Sequence, residues 1–257
     1  MTREPSARFR DCELSTLERP WIDVEKAREQ HARYRQALAE GGFAVECLPP
    51  LDLLPDAVFV EDPLLVLDEV AVALRPRSSL RRQEVESLVE AIASWRRLLR
   101  RAEEPALVEG GDLLVQGRRI LAGVSSRSNP EGLARLAALV RPFGYRLQPL
   151  RVFRGLHLRS GLSLLDEETF LASPARVDVA ALLGARILET HPEEEEGANA
   201  VALPDGRILL SDAFPATADR LDRAGYELLL LDDSEFRKAE GGLSCCSLRF
   251  RTEELRV

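Results

Sequence analysis

Two adjacent thiols, Cys245 and Cys246, stand late in the chain in AEGGLSCCSLRF. Neighbours on a strand point to opposite faces, so the pair supplies at most one well-placed nucleophile while the other packs. Two small apolar fillers is the competing reading. A cation beside a thiol favours the thiolate, which is the reactive form. Among three histidines, His157 lies in RVFRGLHLRSGLSLLD, just ahead of an apolar strand, where an imidazole can pass protons. A satisfied polar core contact is its alternative. His31 sits among charged helix neighbours and His191 precedes Pro192 and an acidic run, so both read as structural or solvent-facing.

Carboxylates gather in two places. PDAVFVEDP sets Asp56, Glu61 and Asp62 around an apolar strand, and VEGGDLLV sets Glu109 and Asp112 around a diglycine. Carboxylates are seldom buried without a partner. At strand mouths they make a negative pocket for a cation; capping and turn contacts are the plainer reading. No histidines accompany them at metal-ligand spacing, so no metal is expected. There is no glycine-rich phosphate loop, and Gly110 and Gly111 have the wrong spacing for a nucleotide fingerprint, so no cofactor is expected.

The elements that must hold these groups repeat in order. Segments 62–108, 112–149, 161–189 and 199–231 each read strand, strand, helix, strand. Their helices are expected over 82–97, 130–140, 178–183 and 216–224. A helix over 23–41 with a strand over 43–48 opens the chain, and a strand over 243–250 ends it, like halves of a fifth unit. Joining them would close a ring. An ordinary open α/β sheet is the alternative. No linker marks a boundary, so residues 1–257 read as one domain.

The net charge of −8, from 35 basic and 43 acidic side chains, argues against nucleic acid. There is no apolar leader at the start and no run long enough to span a membrane, and the four cysteines lack a paired framework. These features point to the cytoplasm.

Taken together, LPDAVFVEDP (54–63), VEGGDLLV (108–115), SSRSN (125–129), LHLRSGLSLL (156–165), EGANAVALPDG (196–206) and SEFRKAEGGLSCCSLRF (234–250) resemble the dimethylarginine dimethylaminohydrolases. That family belongs to the guanidino-group-modifying superfamily of arginine deiminases and amidinotransferases. The resemblance runs in order over nearly the whole chain. It implies a five-bladed α/β propeller with its site on the axis. It implies Cys245 as nucleophile, His157 as acid and base, and Glu109 as the carboxylate beside them. Asp62 and Glu61 are expected to grip the guanidinium, Asp56 to lie near the amino-acid end, and Arg81 and Arg127 to hold the α-carboxylate. The expected partner is a small cationic guanidino amino acid, with no cofactor, nucleic acid or membrane; a homodimer is compatible. The implied reaction releases dimethylamine and citrulline through an S-alkylthiouronium. A deiminase or another guanidino hydrolase is the first alternative, a non-catalytic binding propeller the second. Two departures, Arg77 where glycine is commoner and Glu240 where aspartate is, bear on specificity. The substrate lid is expected at residues 9–14.

Overall fold

The fold is described from a computed structural model covering residues 1–15, 18–96 and 99–252. Strand β1 (Thr2–Arg3) is followed by helix α1 (Val24–Glu40) and strand β2 (Cys47–Leu48), with β1 parallel to β2. Helix α1 starts where Asp23 accepts from the backbone N–H groups of Glu25 and Lys26, and stops at Gly41. Four sheets of one plan come next: β3 (Leu64–Val66), β4 (Ala71–Ala73), helix α2 (Val85–Ile92) and β5 (Leu99–Arg101); β6 (Leu113–Gln116), β7 (Arg119–Val124), helix α3 (Pro130–Val140) and β8 (Arg146–Arg151); β9 (Leu162–Leu164), β10 (Thr169–Ala172) and β11 (Arg186–Glu189); and β12 (Val201–Ala202), β13 (Ile208–Ser211), helix α4 (Pro215–Arg223) and β14 (Leu228–Leu231). In each, the first two strands run antiparallel and the third returns parallel to the second. A short helix α5 (Ser234–Lys238) precedes the cysteines.

Strand alternation distributes the apolar residues. Leu113, Ile120 and Ala122 pack with β4 and α3, while Leu114 and Leu121 pack with Leu162 and Phe170 of the next unit. Each central strand is thus buried on both faces. Cutting Ile120 or Leu121, both fully buried, to alanine should cost roughly 2–5 kcal/mol.

Several sequence expectations need correction. The strands form five separate sheets, four mixed ones of three strands and one parallel pair, and among the described residues no sheet closes into a barrel or a propeller. The five-bladed propeller is therefore replaced by an α/β fold of small mixed sheets. The predicted last strand is instead a 3-10 turn, Leu243–Cys246. Met1 and the segment after the cysteines still meet, since the Met1 ammonium donates to the Leu248 carbonyl and the Leu248 N–H donates to that of Met1, each at 2.9 Å. The helix expected over 178–183 is a single 3-10 turn, Val179–Ala181, because a stretch closed by left-handed Gly184 is too short to propagate. The helix expected over 82–97 begins as a 3-10 turn, Arg81–Glu84, and its predicted end at Arg97 lies outside the described residues. No helix among the described residues is long and apolar enough to cross a membrane.

Candidate active site

The site assembles where the first strands of neighbouring sheets begin. Asp62 lies just before β3, and Glu109 just before the 3-10 turn Gly110–Asp112 that leads into β6. The diglycine permits their close approach. A Cβ at Gly110 would lie 1.9 Å from the Glu61 carbonyl, and one at Gly111 would lie 2.7 Å from His157 Nδ1. The Gly111 N–H donates to Asp62 Oδ1 at 2.9 Å. No side chain larger than hydrogen fits either position.

His157 enters at the start of a 3-10 turn, Leu158–Ser160. Its Nε2 is 2.6 Å from Glu109 Oε2 and 3.8 Å from Asp62 Oδ1. Burial opposes its charge, but Asp62, Glu109 and Asp112 outweigh that and lift its pKa to about 9. Burial likewise opposes the charge of Asp62 and Glu109. The imidazolium, aided by Arg81, offsets this and holds both below the ordinary carboxylate range. At neutral pH the imidazolium therefore donates its Nε2–H to Glu109.

Asp112 positions this group from behind. It accepts from the Leu158 N–H at 2.9 Å and from the Ser125 and Ser128 hydroxyls at 2.6 Å each. The histidine turn and the loop carrying Arg127 therefore share one buried carboxylate.

The 3-10 turn at the cysteines sends Cys245 toward the cavity and Cys246 into the core. Burial, then Glu61 and Asp62, push the Cys245 thiol up to about 12. Two cavity lobes share Leu156, His157, Glu240, Gly241 and Cys245 in their walls. The smaller, about 40 Å³, is walled by Asp56, Asp62, Arg81 and Arg127; the larger, about 330 Å³, by residues including Arg176, Asn199 and Phe214.

Most of the expected site residues converge here, but three are placed differently from the simple expectation. Glu61, adjacent to Asp62, points the other way: it accepts from Ser244 Oγ at 3.0 Å and lies 3.6 and 3.7 Å from Arg159 and Arg249. Arg81 is buried and directs its donors at Asp62 (2.6 Å), Glu84 (3.1 Å) and the Phe59 carbonyl (2.9 Å). Arg127 lies 3.7 Å from Glu109 and bonds Ser15. Asp56 accepts from the Glu13 N–H at 3.0 Å, which brings the expected lid segment to the smaller lobe. Glu84, Asn199 and Arg159 were not singled out from the sequence. Nothing in a lone Asn, or in an Arg and Glu three apart, distinguishes buried from exposed.

Donor atoms of Asp62, Glu109 and His157 lie within 4.8 Å of one another, a grouping able to hold a metal. His157 Nε2 is spent on Glu109, however, and Arg81 places a guanidinium on Asp62. The set is suited to a proton and a flat organic cation rather than a divalent ion.

No family profile matches the chain. It is 35% identical over 229 residues to the N(G),N(G)-dimethylarginine dimethylaminohydrolase of Pseudomonas aeruginosa, covering 89% of this chain and 90% of that one. It is 35% identical over 251 residues to the protein of the same name from Streptomyces coelicolor, covering 98% and 96%. A cysteine-to-serine variant of the Pseudomonas aeruginosa enzyme, complexed with citrulline, superposes with a TM-score of 0.89 at 32% identity, covering 97% of each chain. Likeness of this extent, joined to a thiol, an imidazole and carboxylates around one cavity, makes the chain a member of the dimethylarginine dimethylaminohydrolase family.

Proposed function

We propose that this chain hydrolyses a guanidinium C–N bond of N-omega-methylated arginine, asymmetric dimethylarginine above all, giving citrulline and dimethylamine. The observation that carries the reading is the pair His157 and Asp62 facing the same cavity as Cys245, with Glu109 buried behind the imidazole. Family membership and the citrulline complex of the Pseudomonas aeruginosa relative support it.

The chemistry follows from the charges. A flat guanidinium enters beside Asp62, which with Glu109 buried behind His157 offsets its desolvation. Its positive charge beside Cys245 favours the thiolate that burial otherwise suppresses. Sulfur attacks the central carbon, and His157, already protonated, gives its proton to the departing amine. Dimethylamine leaves and an S-alkylthiouronium remains on Cys245. Water then attacks that carbon, His157 takes the proton, and citrulline departs as the thiol re-forms. Arg127 and Asp56 would hold the α-carboxylate and α-ammonium in the smaller lobe. Arg81 would act there through Asp62, since its own donors are engaged.

The test is an assay with asymmetric dimethylarginine, monomethylarginine and arginine side by side, with products identified. The reading expects dimethylamine and citrulline at the highest kcat/KM. Preferred ammonia release from arginine would replace it with a deiminase, and no turnover of any of the three would remove it.

A further inference from the structure

We infer that Asn199 is a positioning residue that locks the nucleophile turn to the histidine turn; the inference rests on Cys245 being the nucleophile. The side chain of Asn199 reaches both turns. Its Oδ1 accepts the Ser244 N–H at 3.0 Å. Its Nδ2 donates to Ser244 Oγ at 3.0 Å and to the Arg159 carbonyl at 3.2 Å. Ser244 immediately precedes Cys245, and Arg159 lies two residues after His157. One amide therefore spans two chain segments 85 residues apart at the point where sulfur and imidazole must meet.

The frame around this amide is rigid. Ala198 and Ala200 on either side are buried, and the Ala200 N–H donates to Ser163 Oγ at 3.0 Å. Gly242 packs against the amide so closely that a Cβ there would lie 2.7 Å from Asn199 Cγ. Ser244 Oγ passes the chain of bonds on to Glu61 at 3.0 Å, whose N–H donates to the Cys245 carbonyl at 3.3 Å. The nucleophile turn is thus held by polar groups of Asn199 and Glu61 rather than by a strand ladder. An amide suits the position because it offers an acceptor and two donors in one plane, whereas an ionised carboxylate has no donor and a hydroxyl only one. Placement of a reacting pair is sensitive to shifts of this scale.

The test separates placement of Cys245 from its mere reactivity. Chloroacetamidine, whose amidinium needs the carboxylates and the thiol together, and iodoacetamide, which is neutral, are reacted with the folded protein, and the label is located on Cys245 by peptide mass. In Asn199→Ala the ratio of the two labelling rates should fall about tenfold, and kcat should fall with KM little changed. Asn199→Asp keeps the acceptor for Ser244 and should recover part of the ratio; if the alanine variant does not fold, the aspartate variant alone decides by a smaller fall. An unchanged ratio in both variants overturns the inference. So does a loss confined to KM, which would make Asn199 a substrate contact on the cavity wall. Labelling needs no turnover, so a chain that spares dimethylarginine yet shows an Asn199-dependent ratio overturns the functional reading and not this one.

Discussion

Two thiol–imidazole neighbourhoods lie on either side of the turn Leu243–Cys246. In front, Cys245 shares a cavity with His157; behind, Cys246 shares a small pocket with His31, Tyr34 and Phe236. Both histidines are buried, yet their protons differ. Acidic neighbours lift His157 to about 9, whereas burial, with Arg35 adding to it, drops His31 to about 3. The Nε2 of His31 is buried without a hydrogen-bond partner among the described residues. The comparison teaches that the imidazole and the thiol do not by themselves make a reactive site. Carboxylates that reach the ring decide it: Asp62 and Glu109 act on His157, whereas Asp232 and Asp233, though they line the rear pocket, do not offset the burial of His31.

The sharpest way to break the comparison is to exchange the sulfurs. Cys245→Ser should abolish citrulline formation, while Cys246→Ser should stay within about threefold of the parent. Equal losses would mean that the two sides are not distinct. The histidines come next. His157→Ala should lower kcat by roughly 10²–10⁴-fold, the usual range for a lost proton-transfer group, with His31→Leu close to the parent in a steady-state assay. A direct reading of the protons sharpens the same point. Imidazole NMR at pH 7.5 should find His157 carrying both ring protons and titrating near pH 9, with His31 neutral down to about pH 3.

The smallest effect is on stability, and its sign differs between the sides. The stability contributed by His157 is fully present below its unfolded pKa and is lost as pH rises through about 9. His31 works the other way: below about 6.5 the unfolded chain takes a proton that the folded chain refuses until about 3, so stability falls as pH falls through that window. Denaturation of parent and His31→Leu at pH 6.5 and pH 5 should show the parent losing about 2 kcal/mol more. Parallel loss in the two would remove the burial argument for His31.

Legibility in the sequence followed the range of the forces. Helix α1 could be read to within a residue because Asp23 and Gly41 act on their own neighbours. The repeating strand order is visible for the same reason, whereas the gathering of Asp62, Glu109, His157 and Cys245 is long-range and is implied only by the family resemblance. Leu243–Cys246 was misread as a strand, because its apolar alternation is overridden by Asn199 and Glu61, which are distant in the chain. The outward or inward turn of Glu61 beside Asp62 depends on Arg159 and Arg249, and the engagement of Arg81 on Glu84, and neither partner announces itself locally. The ring closure failed as an expectation because each sheet pairs only strands of its own unit, and among the described residues no outer strand pairs with the next sheet.

Asp112 sets a limit on how this site can be redesigned. Its three acceptor bonds, to Ser125, Ser128 and the Leu158 N–H, place the loop of Arg127, proposed to read the far end of a ligand, and the turn of His157, proposed as the acid, on a single hinge pin. Libraries that vary residues 125–128 to admit longer or shorter ligands would disturb the acid along with the fit, and turnover would suffer before selectivity improved. Evolution of new ligand ranges should therefore leave these serines in place and proceed through the lid, since Arg127 itself stands 3.7 Å from Glu109, the partner of His157.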